Sequence, residues 1–531
     1  MRTLLLVLGA SCLVSATLSA QSADPRLDSL KAEVTRAIDA RAKLAQQMVD
    51  QVFSFGELGM QEVETSKYLT GVLERNGFKI ERGVAGMPTA WVARWGSGSP
   101  VIALGSDIDG IPQASQKPGM ASRGAIVSGA PGHGEGHNSG MPLNILAALA
   151  VKNVMAREKI RGTLVLWPGV AEEQVAGKPF LVRAGVFKDV DANLFAHVGS
   201  GFALSWGDEP LLALISAIFK FKGQSAHAAG SPWRGQSALD AVMQMANAWE
   251  LHREHMELTQ RSHYVITDGG DQPNVVPSTA AIWFYFRETD PERVTKLLDD
   301  AKQIARAAAM ATFTALDTVQ IIGSAWRPHH NKPITEAMHA NAMRVGMPAW
   351  DEKDQALARA VQRMVGRPDS GLRTTVAPIR SPEEAARSRI ATASDDIGDV
   401  TWTVPSATLY YPANIPATPG HNWADAIAMA TPIAHKGVVA GAKVQAHTVL
   451  DLLLKPTLVS DAKRYFTDVQ TKTVKYRPLM APSDQPPTWL NAERMAKYRS
   501  EMRKAYYDPA RYATYLEQLG IMYPDVTRGT P

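Results

Sequence analysis

Thr163-Leu164-Val165-Leu166-Trp167-Pro168-Gly169-Val170-Ala171-Glu172-Glu173 is an apolar run that ends in two adjacent carboxylates. It reads as a buried strand opening into a polar loop at its C-terminal end. Upstream, residues 89–95 and 101–104 also look like strands, and the second runs into Gly105-Ser106-Asp107-Ile108-Asp109-Gly110. Residues 143–155 lie between them and the quoted run and have helical character, and Leu27, Leu30, Val34, Ile38, Leu44, Met48 and Val52 keep helical spacing before them. Strands alternating with helices predict a three-layer α/β domain with a mixed sheet, whose ligand sites gather at strand ends.

The alternation is interrupted. Residues 212–324 give the order strand (213–222), helix (237–252), strand (264–267), strand (280–287), helix (291–309), which predicts an inserted α+β sandwich on a four-stranded sheet. The α/β pattern resumes at 333–345 and again over 407–454. A chain of 531 residues is too long for one core. The expected division is a catalytic domain from 24–211 and 325–455, an insert at 212–324, and an aromatic, proline-punctuated extension at 456–531 whose role the sequence does not assign. Segments 117–127 and 350–389 read as loops that shape the pocket.

Composition excludes some classes. Charged residues make up 20% and hydrophobic residues 45%, and a formal charge of +4 without a Lys/Arg-rich block gives no case for nucleic acid. Arg2 precedes an apolar run that begins at Leu4 and extends to about Ala20, with Asp24 to Arg26 opening a polar stretch, so residues 1–23 read as a signal peptide and the chain as periplasmic or secreted. A lipid anchor through Cys12 ranks second, because no leucine stands three residues before it. No later segment reaches the roughly 18 uncharged apolar residues of a spanning helix. Cys12 is the only cysteine, which leaves the mature chain no disulfide framework and no thiolate metal site.

Four polar clusters fall at strand or loop ends. Gly132-His133-Gly134-Glu135-Gly136-His137-Asn138 interleaves polar side chains with glycines that permit tight turning, and it favours a metal loop over a plain glycine turn. Glu172 and Glu173 would repel unless their roles differ, one binding metal and one taking a proton from water; alone, a solvated helix start explains them as well. His197 alone reads as a core histidine, and His421 in Thr418-Pro419-Gly420-His421-Asn422-Trp423 as a surface turn. Together the clusters supply five ligands and one spare carboxylate, a count that fits two divalent ions and a general base.

The ordered series GELGMQEVET (56–65), the Asp107-Ile108-Asp109 loop, GHGEGHN (132–138), PGVAEE (168–173), Phe195-Ala196-His197, FKGQSAHAAGSPWRGQSALDA (221–241), GGDQPNVVPSTAAIWFYFRE (269–288), SDDIGDVTW (394–402) and TPGHNW (418–423) resembles the dinuclear metallopeptidase and amidohydrolase family of carboxypeptidase G, the auxin-conjugate hydrolases and aminobenzoyl-glutamate hydrolase, the last being nearest. The likeness spans about residues 35–455. It implies an amide hydrolase acting on N-acyl amino acids or small peptide-like substrates, with Glu135, His137, Glu173, His197 and His421 as metal ligands and Glu172 as general base. It further implies that His227 reaches the partner subunit's active site to steady the oxyanion, that Asn274 and Arg287 bind the substrate amide and carboxylate, and that the chain is a homodimer through the insert. Plainer roles exist for these three: a cap on the neighbouring helix for His227, a turn before Pro277 for Asn274, a pair with Glu288 for Arg287. The implied cofactor is a pair of divalent ions, zinc or manganese with cobalt as a further option.

One position departs from the family pattern. Glu135 stands where the nearest relatives carry cysteine in a GCGH core, so a hard carboxylate replaces a soft thiolate and shifts preference toward manganese and other oxygen-tolerant ions. The same departure is the best support for a rival reading, an exported binding protein that kept the cleft without the reaction; the retained Glu172 argues against it. A serine hydrolase is the poorer alternative, since no Gly-x-Ser-x-Gly elbow joins a strand to a helix.

Overall fold

The computed structural model describes residues 24–388 and 391–526. The expected signal peptide, with Cys12, lies outside the described residues. The strand that opens the sequence reading spans Gly162–Gly169 and is buried along almost its whole length. It sits in a six-stranded sheet of order Lys79–Arg82, Trp91–Ser97, Gly162–Gly169, Val101–Asp107, Ala192–Gly199, Ser406–Pro412. The last four run parallel and the first two pair antiparallel, giving the mixed sheet that the alternation predicts.

Helices cover the sheet. Gly140–Glu158 is almost wholly apolar and buried from Gly140 to Val151, as a helix inside a layered core must be, and becomes polar and solvent-facing in its last turns. Pro432–Leu454 packs against it and against Pro25–Asp39 and Lys332–Val345. Among the described residues, Pro432–Leu454 is the one helix long and apolar enough to cross a membrane by length and composition, but it is 83% buried inside the protein and contributes to its core.

The insert is a four-stranded antiparallel sheet of order Ala315–Ala325, Ala213–Lys222, Thr279–Glu288, Arg261–Asp268. The helices Ala238–His252 and Pro291–Ala311 close a separate core around Phe219, Trp249, Phe284 and Phe286. The fourth strand, Ala315–Ala325, has no counterpart in the order read from sequence: its first half is largely solvent-facing and two register shifts break its alternation. A second difference concerns 350–389, where Glu352–Met364 is a helix begun by a full capping box between Asp351 and Asp354. The extension also folds onto the catalytic layer, through the helices Pro456–Tyr465 and Ala492–Arg503 and the short turn Tyr515–Gln518. Met495 and Met502 pack there on Leu58 and Ala130.

Candidate metal centre and substrate cleft

Each of the four parallel strands delivers part of the site at or beyond its C-terminal end. Asp107 ends its strand and Asp109 follows; Glu172 and Glu173 lie just beyond Gly169; His197 is near the end of Ala192–Gly199; the segment after Pro412 leads to His421. The loop holding Glu135 and His137 precedes the helix Gly140–Glu158. Gly136, between them, has φ +119°, and a Cβ there would stand 2.4 Å from Met429 Sδ, so only glycine lets both neighbours face one point.

Five side chains from these loops converge. Glu135 lies 3.0 Å from His421, 3.6 Å from His197 and 3.9 Å from His137. Glu173 lies 3.4 Å from His421 through one oxygen, and its other oxygen is 4.0 Å from His137 Nδ1, the ring nitrogen that Asp109 holds rather than the one facing Glu135. Donors on a shared ion, each about 2.0–2.2 Å from it, stand roughly 3–4 Å apart. Two atoms of these side chains, His137 Nε2 and Glu173 Oε1, are buried without a hydrogen-bond partner. A buried imidazole nitrogen and a buried carboxylate oxygen left bare are costly unless a cation meets them, so the donor set fits divalent ions.

Electrostatics agree. Burial, reinforced by Glu135, pushes the Glu173 carboxyl up to about 8. The hydrogen bond to Glu135, with the charge of Glu173, pushes the His421 imidazole up to about 9. Burial works against the charge of Glu135, yet His421, His137 and His197 hold its carboxyl below the usual range. The negative pocket draws protons onto the His137 and His421 imidazoles.

Residues to which the sequence assigns no role hold this cluster in place. Asp109 Oδ1 is 3.2 Å from His137 Nδ1, and its other oxygen accepts the Glu173 N–H at 3.1 Å, the usual arrangement by which a carboxylate orients an imidazole ligand. The Tyr285 hydroxyl, from the insert, donates to the Glu173 carbonyl at 3.0 Å. The turn carrying the two glutamates is flanked by Ala171 and Val175, both left-handed at φ 50° and 49°. A β-branched residue there is strained backbone, and the Glu62 carboxylate braces the turn by accepting the Ala171 N–H at 2.8 Å.

Glu172 occupies a second acidic group, with ligand atoms of Asp395 and Asp396 within 4.8 Å of its own. Lys178, wholly buried, supplies the internal cation: its ammonium is 2.6 Å from Asp107, 2.5 Å from Asp396 and 3.3 Å from Asp395. Burial, then Asp395, pushes the Glu172 carboxyl well up from its usual range, while Lys178 opposes.

The three residues expected from the insert divide. Arg287 faces the site: its guanidinium donates to Ser394 Oγ at 3.1 Å, lies over the Tyr285 ring and forms no pair with Glu288. His227 and Asn274 are exposed on the insert, and their hydrogen bonds stay there: His227 Nδ1 accepts from the Ala229 and Gly230 N–H groups, and the Asn274 carbonyl accepts from Ala228. Neither joins the cluster within one chain. Exposed large apolar side chains concentrate on the same insert, including Trp233, Leu251, Leu258, Val265, Ile266 and Phe313.

Comparison with known proteins agrees with this architecture. The peptidase dimerisation domain model matches residues 213–312. The chain is 33% identical to one of the p-aminobenzoyl-glutamate hydrolase subunits of Escherichia coli over 83% of its own length and 95% of that protein's. It is 27% identical to the mouse Xaa-Arg dipeptidase over 84% of its length and 94% of the relative's. A crystal structure of an aminobenzoyl-glutamate utilization protein from Klebsiella pneumoniae superposes with TM-score 0.55 at 16% identity, covering 79% of this chain and 98% of that one.

Proposed function

The chain belongs to the peptidase and amidohydrolase family that includes p-aminobenzoyl-glutamate hydrolase, and from that premise we propose that it hydrolyses the amide bond of an N-acyl amino acid or small peptide-like substrate. The observation that carries the reading is the meeting of Glu135, His137, Glu173, His197 and His421, with His137 Nε2 and Glu173 Oε1 buried and without hydrogen-bond partners. These five residues would hold two divalent ions. Such ions, when bound, lower the pKa of water and polarise the scissile carbonyl.

The remaining work falls to the chain's own groups. Glu172, next to Glu173 yet outside the five, takes the proton from the attacking water and passes it to the leaving amine. Its buried setting favours holding that proton until the amine is ready. Arg287, with no carboxylate of its own to pair with, receives the carboxylate of the substrate's amino acid. Asn274 binds the amide and His227 steadies the oxyanion, both reaching the site of a second protomer, so the working form is a homodimer through the insert. The exposed apolar residues and the unpaired edge strand Arg261–Asp268 on that insert support this assembly.

The carboxylate at Glu135 favours manganese or cobalt over a thiolate-type zinc site. We also propose that residues 1–23 are removed on export to the periplasm or medium, which N-terminal sequencing of the cell-fraction protein tests. The test of function is metal analysis followed by chelation, reconstitution with zinc, manganese or cobalt, and assay on acylated amino acids including p-aminobenzoyl-glutamate. Activity should vanish with the metal and return with it; activity untouched by a chelator defeats the reading.

A further inference from the structure

Beside the five-residue cluster opens a cavity of about 660 Å³ whose wall includes Glu135 and His197 at one end and Arg373 and Arg380 among its other residues. Both arginines belong to the segment after the helix Glu352–Met364, and that segment is fastened to the backbone at 202–206. The Ala377 N–H donates to the Phe202 carbonyl at 3.3 Å, the Arg380 N–H to Leu204 at 3.2 Å, and the Trp206 N–H to the Arg380 carbonyl at 3.4 Å. The Trp350 indole holds the other end, donating to the Arg373 carbonyl at 2.8 Å. The Arg373 side chain crosses Gly201, where an added Cβ would sit 3.1 Å from its Cδ.

Neither guanidinium has a carboxylate oxygen within 4.0 Å among the described residues. Glu209, whose charge Arg380 feels, is engaged by the Ser205 hydroxyl and by His330 at 3.1 Å. Arg373 is exposed and Arg380 half-buried, and two guanidinium groups without a carboxylate partner make this wall of the metal-site cavity positive, so it draws an anion and turns cations away. Their planar forks match a carboxylate in particular.

We infer that Arg373 and Arg380 form an anion subsite that selects substrates bearing a second carboxylate, beyond the one assigned to Arg287, and that rejects cationic ones. The inference rests on the hydrolase reading and names the substrate class of that same site. The second carboxylate sits either on the side chain of the released amino acid or on the acyl group, and matched substrate pairs distinguish the two.

The test compares kcat/KM of the metal-loaded enzyme for N-benzoyl-glutamate against N-benzoyl-glutamine, and for N-succinyl-alanine against N-butyryl-alanine. The wild type should prefer the charged member of one pair, and R373Q/R380Q should lower that preference roughly 10- to 100-fold, the worth of one or two charge-assisted hydrogen bonds. Charge reversal in R373E/R380E should turn the preference toward N-benzoyl-lysine, with folding of each variant checked by its thermal midpoint. Equal ratios in wild type and R373Q/R380Q, or a wild-type preference for neutral or basic members, overturn the subsite. A separate arm needs no turnover: calorimetric binding of glutarate against butyrate, which the double variant should weaken selectively. If no amide is cleaved while glutarate binding still depends on the arginines, the hydrolase reading fails and the subsite stands; if glutarate binding is indifferent to both substitutions, the subsite fails.

Discussion

At the scale of single residues, the two adjacent glutamates have separate surroundings, and that separation gives them separate work. Glu173 faces the imidazoles, whereas Glu172 faces Asp395, Asp396 and the Lys178 network. Glu172→Gln should therefore keep both metal equivalents, measured by elemental analysis, while kcat falls by at least about 10²-fold, the usual worth of a general base; full activity would remove Glu172 from that role. Asp399 makes a second test, outside the five-residue cluster. Its wholly buried carboxyl accepts from the Trp326 N–H and the Tyr476 hydroxyl, and burial pushes it up to about 7 from its ordinary 3.8. A carboxyl raised on folding adds stability that is complete below its unfolded pKa and lost as pH climbs through the folded one. Stability to urea should thus decline from pH 4 to pH 7.5, and Asp399→Asn should flatten the slope; parallel profiles would contradict this. Of the five converging side chains, Glu135, His137, Glu173 and His421 were legible in short glycine-, proline- or acid-marked segments, whereas His197 alone reads as a core histidine and entered the set through the family likeness. Asp109, Lys178 and Asp395 were not legible, since an acid in a loop or one lysine in a helix has no pattern announcing a buried partner 28 to 217 residues away.

At the scale of elements, long apolar periodicities were read to within a few residues: 213–222 is the strand Ala213–Lys222, and 237–252 the helix Ala238–His252. What escaped was structure made by tertiary context. The bulged strand Ala315–Ala325 is held by its neighbour's ladder rather than by its own alternation, and the capped helix Glu352–Met364 sits in a polar stretch that reads as loop. The extension is the largest case, because its helices are amphipathic against a surface that the sequence does not display. Its Arg499 forms a close ion pair with the wholly buried Glu57, which also accepts the Glu64 and Thr65 N–H groups at 3.1 and 2.9 Å. Glu57 lies in the segment bridged to the Gly110 turn beside the metal loop, so the extension braces the site from behind. Arg499→Met leaves that carboxylate without its cation and should cost about 3 kcal/mol in urea denaturation. An unchanged midpoint would show that the extension only lies on the surface.

At the scale of the whole molecule, the proposed dimer makes each active site a property of two chains. Glu172→Gln and His227→Ala should each be inactive alone, yet co-expressed together they should restore about a quarter of wild-type activity, because half of randomly paired dimers carry one complete site. No recovery in verified heterodimers would place His227 outside catalysis. The overall division into a layered domain and an insert was legible because the hydrophobic pattern changes character at both junctions; the convergence of Arg373 and Arg380 on the cleft was not, since it depends on backbone pairing between distant segments. The junctions themselves have one further property. The chain leaves and re-enters the layered domain along adjacent strands, with Leu214 opposite Ala325 in the ladder, so the two severed ends would lie only about 5 Å apart. A short glycine bridge could span that gap, and the excised protein should remain a monomer that has lost Tyr285 and Arg287 from its own site as well as every contribution made across the dimer interface. The graft point is therefore a natural socket, one at which a different appendage can be exchanged without disturbing the sheet that carries the chemistry.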